Sequence, residues 1–187
     1  PYWFMLAALA HDFGKAICTE VINGVIHAYE HEKKGLPLAE TFLRRITAES
    51  KLIRYVLNLV ELHMKPNTVA DAGSAPKVTR RMFDQAVDPE GLICIALADD
   101  RGRITEVPGD SNEAWLYQRL EDFREVMARP YVMGRDLIAA GLEPDKDFTQ
   151  ILQHAHKLRL AGVPKESALR QVLAYARQLR GIKKEEQ

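Results

Sequence analysis

The chain has 187 residues, 47% hydrophobic and 28% charged, with 26 basic against 26 acidic side chains. That composition belongs to a globular protein that buries roughly 70% of its unfolded surface, and it excludes intrinsic disorder, a collagen-like repeat and a disulfide scaffold. A formal net charge of zero excludes a global basic field, so contacts to nucleic acid must come from local clusters.

Tyr2–Ala10 is apolar nearly all round, which predicts a buried helix ended by Gly14. It is far shorter than the ~20 residues that cross a bilayer, and it lacks the basic flank of a signal peptide. No membrane association is expected. Cys18 and Cys94 are lone thiols, which suits a reducing cytoplasm. The chain opens on Pro1 within an apolar segment, and a fragment is expected. Asn23-Gly24, set between two Val-Ile pairs, predicts a small hairpin or a loop.

Residues 37–46 predict a short helix with Leu38, Phe42, Leu43 and Ile46 on one side. Residues 51–63 predict a stronger one, whose apolar stripe runs from Leu52 through Tyr55, Val56, Leu59 and Val60 to His63. Residues 65–76, with two prolines and a glycine, are expected to be a loop. Further helices are expected at 78–86 and 89–100, the latter with Pro89 in its first turn. After a turn at Val107-Pro-Gly-Asp, Asp110 and Glu113 stand at capping-box spacing before a helix that runs to about Met127 and stops before Pro130. Three more helices, at 134–140, 148–161 and 165–180, are punctuated by Gly141 and Gly162. A frayed charged end at Lys183–Glu186 completes the chain. The whole reads as an all-α bundle at 1–130 followed by a small helical tail at 131–187.

Polar residues stand where apolar segments end. His11-Asp12 follows the first apolar helix, His63 closes a buried stripe, and Asp99-Asp100 ends the run from Leu92. His27 and His31 lie four apart beside Glu30 and Glu32. If these ends converge, they form a site of imidazoles and carboxylates, which suits Mn, Fe, Co, Ni or Mg better than structural zinc. Taken singly, each has a plain structural alternative: a cap, a loop histidine or a solvated charge.

The order His11-Asp12, His31, His63, Asp99 resembles the HD superfamily of metal-dependent phosphohydrolases. The stretches Leu9-Ala-His-Asp-Phe-Gly-Lys15, His27-Ala-Tyr-Glu-His31-Glu-Lys-Lys-Gly35, Glu61-Leu-His63-Met-Lys-Pro66, Ala98-Asp-Asp-Arg-Gly-Arg103 and Gly134-Arg-Asp-Leu137 are similar to the HD region and tail of bacterial tRNA nucleotidyltransferases, the CCA-adding and poly(A) polymerase family. The resemblance covers almost the whole chain. It implies His11, Asp12 and Asp99 as ligands of a divalent metal, with Asp99 preferred over Asp100 by its offset from Arg-Gly-Arg. It implies His31 and His63 as ligands of a second metal or of the substrate phosphate. Lys15 would neutralise phosphate charge, and Arg101 and Arg103 would do the same or pair with carboxylates. The catalytic set is then Asp12, Lys15, His31 and His63, acting on 2′,3′-cyclic phosphodiesters, nucleotides or RNA ends.

Two departures accompany the resemblance. The family's first ligand, a histidine on the preceding helix, falls before the span of this sequence. The nucleotidyltransferase head is absent, so the chain is not expected to add nucleotides to tRNA by itself. The rival expectation is an RNA- or tRNA-binding module with a vestigial metal site, gripping phosphates through Arg44-Arg45, Arg80-Arg81 and Arg101–Arg103. A third is a nucleotide-sensing or dimerising partner domain.

Overall fold

The computed structural model describes residues 2–102 and 112–181. Among them the fold is all-α, with one two-stranded hairpin, and no helix is long and apolar enough to cross a membrane. The expected turn at 107–110, the Asp110 cap, Arg103 and the charged end lie outside the described residues.

The chain forms two compact units, Pro1–Leu120 and Glu121–Gln187. The first holds α1 (Tyr2–Ala10), α2 (Lys15–Cys18), β1 (Glu20–Ile22), β2 (Val25–His27), α3 (His31–Lys34), α4 (Leu36–Ile46), α5 (Ser50–Leu62), α6 (Lys65–Asp71), α7 (Pro76–Gln85), α8 (Pro89–Gly102) and the start of α9 (Glu113–Ala128). The division falls within α9, ahead of the boundary expected near residue 130. Within the second unit, the Arg159 guanidinium donates to the carbonyls of Val126 (3.2 Å), Met127 (2.5 Å) and Arg129 (2.8 Å). These bonds satisfy the orphan acceptors at the end of α9 and tie that end into the second unit. The remaining helices are α10 (Gly134–Ala139), α11 (Phe148–Leu160) and α12 (Lys165–Leu179), packed around Leu137, Ile151, Ala155, Ala168 and Val172. Gly141 and Gly162 follow helix ends with φ of 84° and 78°, left-handed values that glycine adopts without a Cβ clash.

In the first unit α5 is the centre. Leu52, Val56, Leu59 and Val60 are buried, as their three- and four-residue spacing predicts, and α5 packs against α1, α3, α4 and α8. Asp88 anchors the start of α8: its Oδ1 accepts the Gly91 amide at 2.9 Å and its Oδ2 accepts the Tyr55 hydroxyl at 2.7 Å. One side chain thus caps α8 and bonds it to α5. Asp88→Ala is expected to cost about 1–2 kcal/mol in urea unfolding, the cap plus a stranded hydroxyl. A loss below a few tenths would show that the cap is idle.

Three expectations are corrected. α1 is not buried all round: Ala7 and Ala10 are sealed, whereas Tyr2, Met5 and Leu9 are exposed. Its small residues make the close face toward the core. In α4 the buried residues are Ala39 and Leu43, while Leu38 and Ile46 face out. Residues 65–71 are helical rather than a loop, because Pro66 occupies the first turn, where no amide partner is needed, and Gly73 (φ 55°) turns the chain afterward. Asn67 on α6 donates to the Ala96 carbonyl of α8 at 3.1 Å. Asn23 and Gly24, with φ of 52° and 79°, form the hairpin turn between Ile22 and Val25.

Candidate metal centre

Four helix ends bring the ionisable residues together. His11 and Asp12 lie in the turn after α1, His31 opens α3, His63 follows α5, and Asp99 sits in the last turn of α8. The join between the first two depends on two glycines. A Cβ on Gly14 would fall 2.0 Å from the His31 carbonyl oxygen, and one on Gly35 would fall 2.7 Å from the Gly14 amide nitrogen. The backbones on either side of the cluster therefore touch directly, which sets His31 beside Asp12. Glu30, immediately before His31, takes a left-handed conformation (φ 59°) that a side chain with a Cβ adopts only under constraint.

Each histidine is oriented alike. Nδ1 donates to a carbonyl three residues upstream: His11 to Ala8 (2.8 Å), His31 to Ala28 (2.8 Å) and His63 to Val60 (2.7 Å). A carbonyl only accepts, so Nδ1 carries the proton and Nε2 is turned to the cluster, the arrangement of a metal-ligating imidazole. His11 Nε2 lies 3.3 Å from Asp12 Oδ2 and 3.6 Å from Asp99 Oδ1. Lys15 Nζ donates to the same Asp12 Oδ2 at 2.6 Å. On the other side of the carboxylate, His31 Nε2 is 3.3 Å from Asp12 Oδ1 and 3.3 Å from His63 Nε2. Asp12 Oδ1 is buried and accepts no hydrogen bond.

Two groups that could hold a metal ion result, His11–Asp12–Asp99 and Asp12–His31–His63, each with its candidate ligand atoms within 4.8 Å of one another. They share Asp12. A buried carboxylate oxygen that accepts no hydrogen bond and two imidazole nitrogens facing each other are polar groups that a cation would satisfy. The donor set and this imbalance fit a divalent metal.

The first group opens onto a cleft of about 420 Å³ lined by Ala8, Lys15, Ile95, Ala98 and Gly102 beside its ligands. The second lies behind it. His63 is 1% exposed and His31 6%. Contact with a substrate phosphate, one of the two roles expected for His63, is closed to a side chain so buried. Asp99 faces His11, whereas Asp100 is exposed.

The expected basic contacts are less concentrated. Arg101 pairs with Glu113 at 2.5 Å, and Arg44 with Glu40 at 2.7 Å. Arg44, Arg80 and Arg101 sit on α4, α7 and α8 respectively. His27 stacks on Tyr29 in the hairpin, with ring centres 4.9 Å apart, and belongs to neither ligand group. The contributions missed from sequence are the Ala8, Ala28 and Val60 carbonyls and the crossing of Gly14 with Gly35. Only the glycines carried a signal, each falling shortly after a candidate ligand histidine.

The electrostatics follow from these contacts. The carboxylates of Asp12 and then Asp99 raise His11 from 6.5 to about 10. Burial acts to raise the Asp12 carboxyl, but the His11 imidazole and the Lys15 ammonium outweigh it and hold the group at about 2. Burial also pushes His63 below its ordinary value. A raised histidine stabilises the fold fully below its unfolded value and loses that contribution as pH climbs to the folded one. Chelator-treated protein is therefore expected to lose thermal stability as pH rises from 6.5 to about 10. Melting curves of wild type and His11→Gln check this, and an equal decline in both would assign it to other groups.

Comparison with protein-family models, with curated proteins and with solved structures returns no match.

Proposed function

We propose that the chain is a metal-dependent phosphohydrolase of the HD type, cleaving phosphate esters of nucleotides or RNA ends. The observation that carries this reading is the convergence, from three helix ends, of three imidazole Nε2 atoms on one shared carboxylate beside an open cleft. His11, Asp12 and Asp99 would hold one divalent cation, and Asp12, His31 and His63 a second. Bound there, such a cation supplies Lewis acidity toward water and toward a phosphoryl oxygen.

The chain's own groups do the rest. The Ala8, Ala28 and Val60 carbonyls lock the three rings in the ligating tautomer. Asp12, shared by both groups, ligates and orients. Lys15, exposed at the cleft, meets charge on the phosphoryl oxygens as the ester P–O bond breaks and the bond to water forms. Ala8, Ile95 and Ala98 offer an apolar wall to the organic part of the ester. The reading as an RNA-binding module has less support, since Arg44 and Arg101 are already ion-paired.

The test is hydrolysis of 2′,3′-cyclic AMP by a chain that includes the upstream histidine implied by the resemblance, after chelation and after addition of Mn, Co, Ni or Mg. Turnover is expected only with metal. A folded, metal-loaded protein that hydrolyses nothing, yet binds RNA with steep salt dependence, would replace this reading by the binding module.

A further inference from the structure

We propose that the two cation positions fill in a fixed order: the buried position of His31, His63 and Asp12 Oδ1 first, and the cleft position of His11, Asp12 Oδ2 and Asp99 second, against competition from Lys15. The inference rests on the metal-dependent reading above and adds its regulation.

The two positions differ in what already satisfies them. At the cleft, Asp12 Oδ2 accepts from Lys15 Nζ at 2.6 Å, and His11 Nε2 stands between Asp12 and Asp99 at 3.3 and 3.6 Å. There an incoming cation must displace the Lys15 ammonium from the oxygen it needs. At the buried position the opposite holds. Nδ1 of His31 and of His63 is spent on a backbone carbonyl, so neither ring can turn without breaking a hydrogen bond in a closed space. Their Nε2 atoms meet at 3.3 Å, and Asp12 Oδ1 beside them accepts no hydrogen bond. Among the described residues no ammonium holds Asp12 Oδ1, so a cation entering between it and the two fixed rings has no competitor like Lys15 to displace. Lys15 sits on the cleft side of the shared carboxylate and is exposed, so it is free to swing toward a phosphate. Substrate binding would then relieve the competition and promote filling of the cleft position. Loading of the second cation becomes coupled to the arrival of a phosphate ester.

Titration of the chelator-treated full chain with Co²⁺, followed by the visible absorption of the bound ion and by heat, reads the order without reference to activity. Two steps are expected. His31→Gln should weaken the tighter step by about 100-fold, and His63→Gln reports the same position should the first variant unfold by circular dichroism. Asp99→Asn should leave the tighter step in place and remove the weaker one. Lys15→Met should tighten the weaker step about tenfold and leave the tighter one unmoved. The order is overturned if Asp99→Asn removes the tighter step while His31→Gln keeps it, or if Lys15→Met moves neither. Absence of any Co²⁺ binding by the folded chain overturns the metal-dependent reading itself and the order with it.

Discussion

Asp12→Ala is expected to lower metal-dependent ester hydrolysis by about 10³-fold or more while leaving the helical fold intact. The size of the effect follows from sharing. Oδ2 belongs to the group with His11 and Asp99, and Oδ1 to the group with His31 and His63, so one truncation removes a ligand from both. The fold should survive because Asp12 is only partly buried and lies in a turn beyond α1, outside the packed stripe of α5. Asp12→Asn separates charge from shape. It keeps the volume and a carbonyl oxygen but loses the anion, and it should be nearly as damaging if ligation is the role. Steady-state hydrolysis of 2′,3′-cyclic AMP at saturating Mn, with circular dichroism on each variant, provides the check. Wild-type turnover in a folded Asp12→Ala would end the proposed mechanism.

Gly14→Ala is expected to destabilise the protein by about 3 kcal/mol or more, a larger effect than ordinary overpacking produces. The added methyl would meet the His31 carbonyl oxygen at 2.0 Å and the Gly35 amide nitrogen at 2.9 Å, and neither is the end of a flexible side chain. Relief requires α3 to move away from the turn that carries Asp12, which also separates His31 from Asp12. Stability and metal binding should therefore fall together. Gly102→Ala is the control. No described residue lies within 4 Å of a Cβ there, and its unfolding free energy should stay within about 0.5 kcal/mol of wild type. Urea unfolding of the two variants decides the matter, and a Gly14→Ala protein as stable as Gly102→Ala would show that the backbones separate freely.

Much of the helical frame was legible because local signals agreed with global packing. The α5 stripe from Leu52 to His63, Pro89 in the first turn of α8, and the glycines after α10 and α11 each act over a few residues. Legibility failed where a local signal had two meanings. Pro66 and Gly73 punctuate a short helix as readily as a loop, and an apolar sequence such as α1 does not say which of its faces finds a partner. The candidate ligands were also legible, since a histidine or carboxylate closing an apolar segment is costly to bury without a partner.

What the sequence determined by itself is therefore periodic or chemical: the all-α class, the order of the longer helices, and the residue types able to ligate a cation. The tertiary structure decided what depends on contacts between distant segments. It set Asp99 3.6 Å from His11, and it set His31 and His63 behind Asp12 with their Nε2 atoms 3.3 Å apart. It split one carboxylate into a paired oxygen and an orphaned one. Spacing along a chain specifies which face of its own helix a residue occupies. It does not specify which other helix end will arrive there, and here that meeting depends on two glycines whose backbones touch across twenty residues of intervening chain.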